Sequence, residues 1–238
     1  MKRVIIVGAT SGIGRELAKV LSQDGYMLGL TGRRSDLLDS LQLELRTASH
    51  TKQMDVSHAV DAIQRLEDLI AQLGGLDLLV ISAGVGFING ELEWAKEEET
   101  IDVNVTGFTA IANVGIRHFI RQASGHLVAI SSIAALRGNG AAPAYNASKA
   151  FVSNYMEGLR HKVSKLKLPI IVTDLQPGFV ATAMAKGEGL FWVATPEKAA
   201  RQIHAAIRQK KTHAYVTKRW RIIAWLFKAL PDRLYHRL

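Results

Sequence analysis

The chain has 238 residues, 48% of them apolar, with five prolines and no cysteine. That length suits one α/β domain with a sizeable core, and the composition is not that of a disordered chain. Without cysteine, disulfides, thiolate catalysis and cysteine-based zinc sites are excluded, and the eight histidines lack metal-ligand spacing, so no metal is expected. The net charge of +9 is unevenly spread: residues 201–238 hold ten of the 30 Lys and Arg but only one acid, Asp232, while residues 1–200 sum to zero. A charged partner should therefore be sought at the C-terminal end.

In chain order, Met1-Lys2-Arg3 is followed by Val4–Val7 and Gly8, too short an apolar run for a signal peptide. No stretch approaches the roughly 18–20 apolar residues that span a bilayer. Together with the missing cysteines, this points to a reducing cytoplasm. The spacing predicts strands at 3–7, 27–31, 50–54, 77–82, 126–131, 169–175 and 213–217. Helices are predicted at 13–24, 35–48, 58–73, 97–121, 144–166 and 196–210. This alternation argues for an α/β chain with a parallel sheet of about seven strands covered on both faces. Runs such as Leu78–Ile81 and Leu127–Ile130 are apolar on both sides of the pleat, as buried parallel strands require. Residues 1–212 would form the catalytic part, and 213–238 the last strand and a basic tail of the same domain. The long loops at 84–96, 133–143 and 178–195 all follow strands, where such sheets bind ligands.

The first strand leads into Gly8-Ala9-Thr10-Ser11-Gly12-Ile13-Gly14 and then a helix. Three glycines there allow a tight turn and close approach of a pyrophosphate to the helix N-terminus, where free N–H groups favour anions. The second strand ends at Gly32, followed by Arg33-Arg34. An acid at that place would bind the ribose 2′-OH of NAD, whereas arginine matches the 2′-phosphate of NADP.

Tyr145 and Lys149 begin a predicted helix four residues apart, so phenol and ammonium face one pocket. A phenol near pKa 10 is a poor proton donor at neutral pH, and a neighbouring cation lowers that value. Thirteen residues before Tyr145, Ser132 follows a strand and can donate to an oxygen that gains charge, with Ser131 as the competing candidate. Asn104 lies mid-helix among apolar neighbours, where asparagine is mildly unfavourable.

Taken together, these residues resemble the short-chain dehydrogenase/reductase family, in its single-domain branch, from about residue 3 to residue 182. The resemblance implies a Rossmann-like doubly wound fold and an NADP(H)-dependent oxidoreductase that interconverts a ketone or aldehyde and an alcohol. It implies that Asn104, Ser132, Tyr145 and Lys149 form the catalytic tetrad. In that scheme Tyr145 gives a proton to the carbonyl oxygen, Ser132 hydrogen-bonds the same oxygen, and Lys149 holds the nicotinamide ribose and lowers the Tyr145 pKa. Asn104 would position a water that relays protons. The Gly8/Gly12/Gly14 turn resembles the family's cofactor motif, Asp55-Val56 the pair that holds adenine, and Pro177-Gly178 with Val180 and Thr182 the stretch that holds the carboxamide. One departure stands out: the family's NNAG is Ile81-Ser82-Ala83-Gly84 here, so the close approach at Ala83-Gly84 is kept, both asparagines are missing, and Ser82 is a partial substitute. A homodimer or homotetramer is implied by analogy.

Phe87, Ile88, Leu136, Met184, Phe191 and Trp192 are the candidate substrate residues, all apolar or aromatic, so an apolar carbonyl substrate is expected, with lipid-like compounds among the candidates. In the tail, Trp220, Ile223, Phe227, Leu230 and Leu234 repeat at helical spacing, opposite Arg221, Lys228 and Asp232. Such a basic amphipathic helix with tryptophan either packs on the core or a dimer partner or lies in a membrane interface. No nucleic-acid-binding motif accompanies the charge.

Overall fold

The structure is a computed structural model that describes residues 1–184 and 191–235. Met184 and Phe191 therefore flank a stretch of the 178–195 loop that lies outside the described residues, as do the last three residues of the tail. Seven parallel strands form one sheet in the order β3-β2-β1-β4-β5-β6-β7. They are β1 (Arg3–Val7), β2 (Met27–Gly32), β3 (Ser49–Gln53), β4 (Leu78–Ile81), β5 (Gly125–Ile130), β6 (Ile170–Pro177) and β7 (His213–Val216). The expected doubly wound α/β fold is the one observed. The order reverses between β1 and β4, and a crevice at the C-terminal ends of the strands opens at that switch point.

The alternation of each strand divides the core in two. Ile5, Val7, Leu79, Ile81, Leu127 and Ala129 face α3 (Ala59–Leu73), α5 (Phe108–Gln122) and α6 (Pro143–Lys165). Val4, Ile6, Leu28, Leu30, Val80 and Val128 face α1 (Gly12–Gln23), α2 (Ser35–Glu44) and α7 (Pro196–Arg208). Neither face of these strands meets water, which is why the runs are apolar without a period of two. A smaller third cluster joins Ile133, Trp220 and Ala224 to Leu136, Phe179, Tyr215 and Ile223. It fastens α8 (Trp220–Ala229) to the short 3-10 turn Ile133–Leu136 that follows β5.

Two predicted helices differ from those observed. The helix expected over 35–48 ends at Glu44, because the Ser22 hydroxyl accepts from the backbone N–H groups of Arg46 at 2.8 Å and Thr47 at 3.1 Å. Those groups are thereby taken out of the helical ladder. The helix expected over 97–121 begins earlier, with α4 (Trp94–Ile101), and passes through a π-helical turn at Asp102–Gly107 before α5. The π turn inserts one extra residue and carries buried Asn104. In the tail, the expected face holds Trp220, Ile223, Phe227 and Leu230 against the protein, but Leu234 is exposed. Asp232 is exposed, as expected, and pairs with Arg137 at 2.5 Å.

Candidate active site

The nucleotide-binding turn is built from missing side chains. Gly8 and Gly12 adopt φ of 91° and 56°, a region that costs a residue with a β-carbon 1–2 kcal/mol or so. A β-carbon on Gly8 would lie 2.5 Å from the Ala83 nitrogen, and one on Gly14 would run into the Gly8 carbonyl oxygen. Backbone thus packs on backbone from β1 to the start of α1 and the end of β4, leaving the helix N-terminus open to an anion. The Ala83-Gly84 approach survives without the asparagines, and Ser82 turns its hydroxyl toward Gly14. Ile13 is partly buried and packs into the core, so only its backbone faces the turn.

The two arginines after β2 have separate tasks. Arg34 donates to the hydroxyls of Thr10 at 2.9 Å and Ser11 at 3.0 Å, bracing the turn. Arg33 is exposed, 3.7 Å from Glu99, and lines a polar cleft of about 210 Å³ together with Gln53, Met54, Asp55, Asp61 and Arg65. Asp55 holds Ser57 through one carboxylate oxygen, accepting from its N–H at 3.0 Å and its hydroxyl at 2.8 Å. Next to it, Val56 is buried, and its carbonyl is approached so closely by Gly107 that no β-carbon would fit. Sequence reasoning missed Arg65 and Gln53. The signal lay in Asp61 and Arg65 at four-residue spacing on α3, which form a 2.5 Å ion pair, with Arg65 also donating to the Gln53 carbonyl.

The catalytic candidates converge on the far side of the crevice. β5 ends in Ser131 and Ser132, which diverge. Ser131 donates to Asp174 and to the Leu175 carbonyl, so it belongs to the sheet. Ser132 caps the 3-10 turn, accepting from the Ala134 N–H at 3.1 Å, and it is near enough to Tyr145 to favour its phenolate. Ser131 is thus tied into the sheet, which leaves Ser132 as the candidate beside Tyr145. Lys149 is buried, with Nζ 5.7 Å from the centre of the Tyr145 ring and 3.3 Å from the Ile130 carbonyl. Asn104 accepts from the Val85 N–H at 2.9 Å and donates to the Val85 carbonyl at 2.7 Å and to Ser148 at 3.0 Å. It therefore clamps the strand-end loop onto α6. Glycines make room for all this: a β-carbon on Gly86 would lie 2.7 Å from the Tyr145 ring, and one on Gly84 would lie 3.1 Å from Asn104 Oδ1 and 3.2 Å from Lys149 Nζ.

Electrostatics partly depart from expectation. Burial pulls the Lys149 ammonium down to about 8, opposed by the charge of Asp174, so it stays mostly protonated at neutral pH. Burial pushes the Tyr145 phenol up, and the Ser132 hydroxyl works against that. The expected lowering by Lys149 does not prevail, because desolvation of the phenolate outweighs the attraction of an ammonium beside the ring face.

The remaining predicted residues fall into two groups. Thr182 reaches the turn, its methyl 3.0 Å from where a Gly12 β-carbon would be. Val180 bridges to Ala194, and Pro177 closes β6. Gly178 lies against the Trp220 indole with no space for a β-carbon. Phe191 stacks on Trp220 at 5.1 Å, and Trp192 meets it edge-on at 6.1 Å, so both belong to an aromatic cluster that Phe179 completes. Leu136 packs there too and lines a groove with Asn146, Ala147 and Ala150, on the side of α6 turned from Lys149. Phe87 is half-buried beside Gly86, whereas Ile88 and Met184 are exposed. Trp220, the keystone of the cluster, was read only as one of a helical series.

A strand-turn-helix nucleotide cradle facing a buried phenol–ammonium pair defines a class of dinucleotide-dependent oxidoreductases. The family model for short chain dehydrogenase matches residues 2–190, and the chain belongs to that family. It is similar to an uncharacterized oxidoreductase of Myxococcus xanthus, 38% identical over 188 residues, 77% of this chain and 74% of that one. It is also similar to an uncharacterized oxidoreductase of Mycobacterium tuberculosis, 31% identical over 248 aligned positions, 99% of this chain and 96% of that one. Among solved structures, the fold matches a short-chain dehydrogenase from Sphingobium yanoikuyae in complex with NADPH, with a TM-score of 0.82 and 22% identity over 98% of this chain and 97% of that one.

Proposed function

We propose that the chain is an NADP(H)-dependent reductase that converts an apolar ketone or aldehyde to its alcohol, with the reverse reaction open to the same groups. The single observation that carries this reading is the buried Lys149 ammonium 5.7 Å from the centre of the Tyr145 ring. When bound, the dinucleotide supplies the hydride. The cradle fits it: the glycine turn leaves no atom where a pyrophosphate would approach, and Arg33 lines the cleft at the end of β2 where a 2′-phosphate would be met. The NADPH in the Sphingobium structure supports the same choice.

In this reading Ser132 and Tyr145 offer their hydroxyls to the carbonyl oxygen, orienting it and stabilising the charge it gains. Tyr145 hands its phenolic proton to that oxygen. Burial raises its affinity for the proton and keeps it in the donor form, and the Lys149 ammonium stabilises the phenolate left behind. Asn104 keeps Val85 and α6 in register so that Gly84 and Gly86 stay pressed against Lys149 and Tyr145.

The test is a carbonyl panel of short ketones, 3-ketoacyl chains, steroids and sugars, read by loss of NADPH absorbance. Tyr145→Phe should lower kcat by roughly 10²–10⁴ while NADPH still binds. Unchanged turnover in that variant ends the assignment of Tyr145 as proton donor, and no turnover by the native chain across the panel ends the reductase reading. NADH performing as well as NADPH ends the assignment to Arg33.

A further inference from the structure

α8 is apolar on two faces, and only one of them is covered. Trp220 and Ala224 are buried in the third core cluster. On the other face Ile222 is 63% exposed, Trp225 71% and Leu226 46%. At three- and four-residue spacing these side chains form one stripe. Apart from this stripe, Phe191 and Trp192 pack on the buried Trp220 ring from the inner side and are themselves partly exposed, as is Val193. Exposed cations frame the stripe: Arg221 and Lys228 on α8, and Lys218 and Arg219 at its start, with the Arg219 guanidinium 5.2 Å over the Trp192 ring. Among the described residues none of these four forms an ion pair.

The geometry points to a bilayer rich in anionic lipid as the occupant of this face. Apolar side chains with tryptophan enter the headgroup–acyl boundary, and the surrounding Lys and Arg meet lipid phosphates. Charge decides against a second copy of this chain. A two-fold contact through the stripe would set the four cations against their own duplicates. The one acid of the segment, Asp232, is already paired with Arg137. The helix is held at the correct angle by its inner face and by Arg137, which also donates to the carbonyls of Phe227 at 3.0 Å and Leu230. No helix among the described residues is long and apolar enough to cross a membrane, so contact is peripheral. Docking there would bring an apolar carbonyl substrate to the aromatic cluster from the lipid side.

The experiment is co-sedimentation of the full chain with vesicles of phosphatidylcholine alone and of phosphatidylcholine mixed with phosphatidylglycerol, alongside light scattering without lipid. The native chain should sediment with the mixed vesicles and far less with phosphatidylcholine, and added salt should weaken the binding. The double variant Trp225→Ser with Leu226→Ser should lose roughly tenfold in partitioning, through its apolar contribution. Arg221→Gln with Lys228→Gln should lose at least about tenfold on mixed vesicles only. All four side chains are exposed, so the melting temperature should hold. The proposal is overturned if the native chain stays in the supernatant with both vesicles, or if both variants sediment like it. It is equally overturned if the serine variant's main effect is to split a dimer seen by light scattering. None of these readouts depends on the reductase assignment.

Discussion

Gly14 and Gly178 both sit where a β-carbon cannot fit, yet what fills the space differs. At Gly14 it is the carbonyl of Gly8, six residues back in the same turn. At Gly178 it is the indole of Trp220, from a helix separated from it by two further elements. A third glycine, Gly84, faces charge and amide: Lys149 Nζ and Asn104 Oδ1. Backbone cannot move aside, a buried charge can change its protonation, and an aromatic ring can be exchanged for a smaller one. The nucleotide turn is therefore rigid in sequence as well as in space, whereas the aromatic anchor can be redesigned as a pair.

The largest effect is expected at the first of these. Gly14→Ala should cost more than about 3 kcal/mol in thermal or urea unfolding and abolish NADPH binding in a fluorescence titration. No side-chain substitution should rescue it, and a second-site suppressor in a neighbouring side chain would break the comparison.

Next comes the buried ammonium. The folded pKa of Lys149, about 8, lies below its ordinary 10.5, so the unfolded chain holds that proton more firmly. Its contribution to stability is thus complete above pH 10.5 and is lost as pH falls through about 8. Urea midpoints of the native chain and of Lys149→Met should diverge across this window by up to about 3 kcal/mol, with only the native chain gaining stability from this group as pH rises. Parallel pH profiles would mean that the ammonium is not buried as described.

A smaller effect is expected at the aromatic anchor. Gly178→Ala should destabilise by about 2 kcal/mol through overpacking. Combined with Trp220→Leu, the loss should fall short of the sum of the single losses by about 1 kcal/mol or more, since the smaller side chain makes room for the methyl. Strict additivity would show that the two positions do not meet.

Smallest is Arg137→Ala, which removes the bonds to Phe227, Leu230 and Asp232. It should cost about 1–2 kcal/mol and appear as faster amide exchange in α8, with protection around Gly8–Gly14 unchanged.

The same contrast explains what could be read before folding was considered. The glycine turn is local, so its spacing between a strand and a helix carried its meaning. Tyr145 and Lys149 share one helix, and their four-residue interval was enough. Ser131 and Ser132 could not be separated, because the difference lies in Asp174, 43 residues from Ser131. The π turn at Asp102–Gly107 was missed although Asp, Val, Asn, Thr and Gly are weak helix formers, because the apolar period runs on through it and the partner of Asn104, Val85, lies 19 residues away. Arg65 escaped notice because its part in the cleft depends on α3 lying beside β3.

From its order of residues alone, the protein was committed to a parallel α/β sheet, to a cradle for a dinucleotide and to a tyrosine–lysine pair. Each of these rests on periodicity or on contacts within a few residues, where chain geometry leaves little choice. Only tertiary packing decided which serine is tied into the sheet, which arginine lines the cleft and which face of α8 stays bare. Those outcomes turn on which distant side chain arrives first at a hydrogen bond or fills a space, and on desolvation, which made the phenol a weaker acid rather than a stronger one.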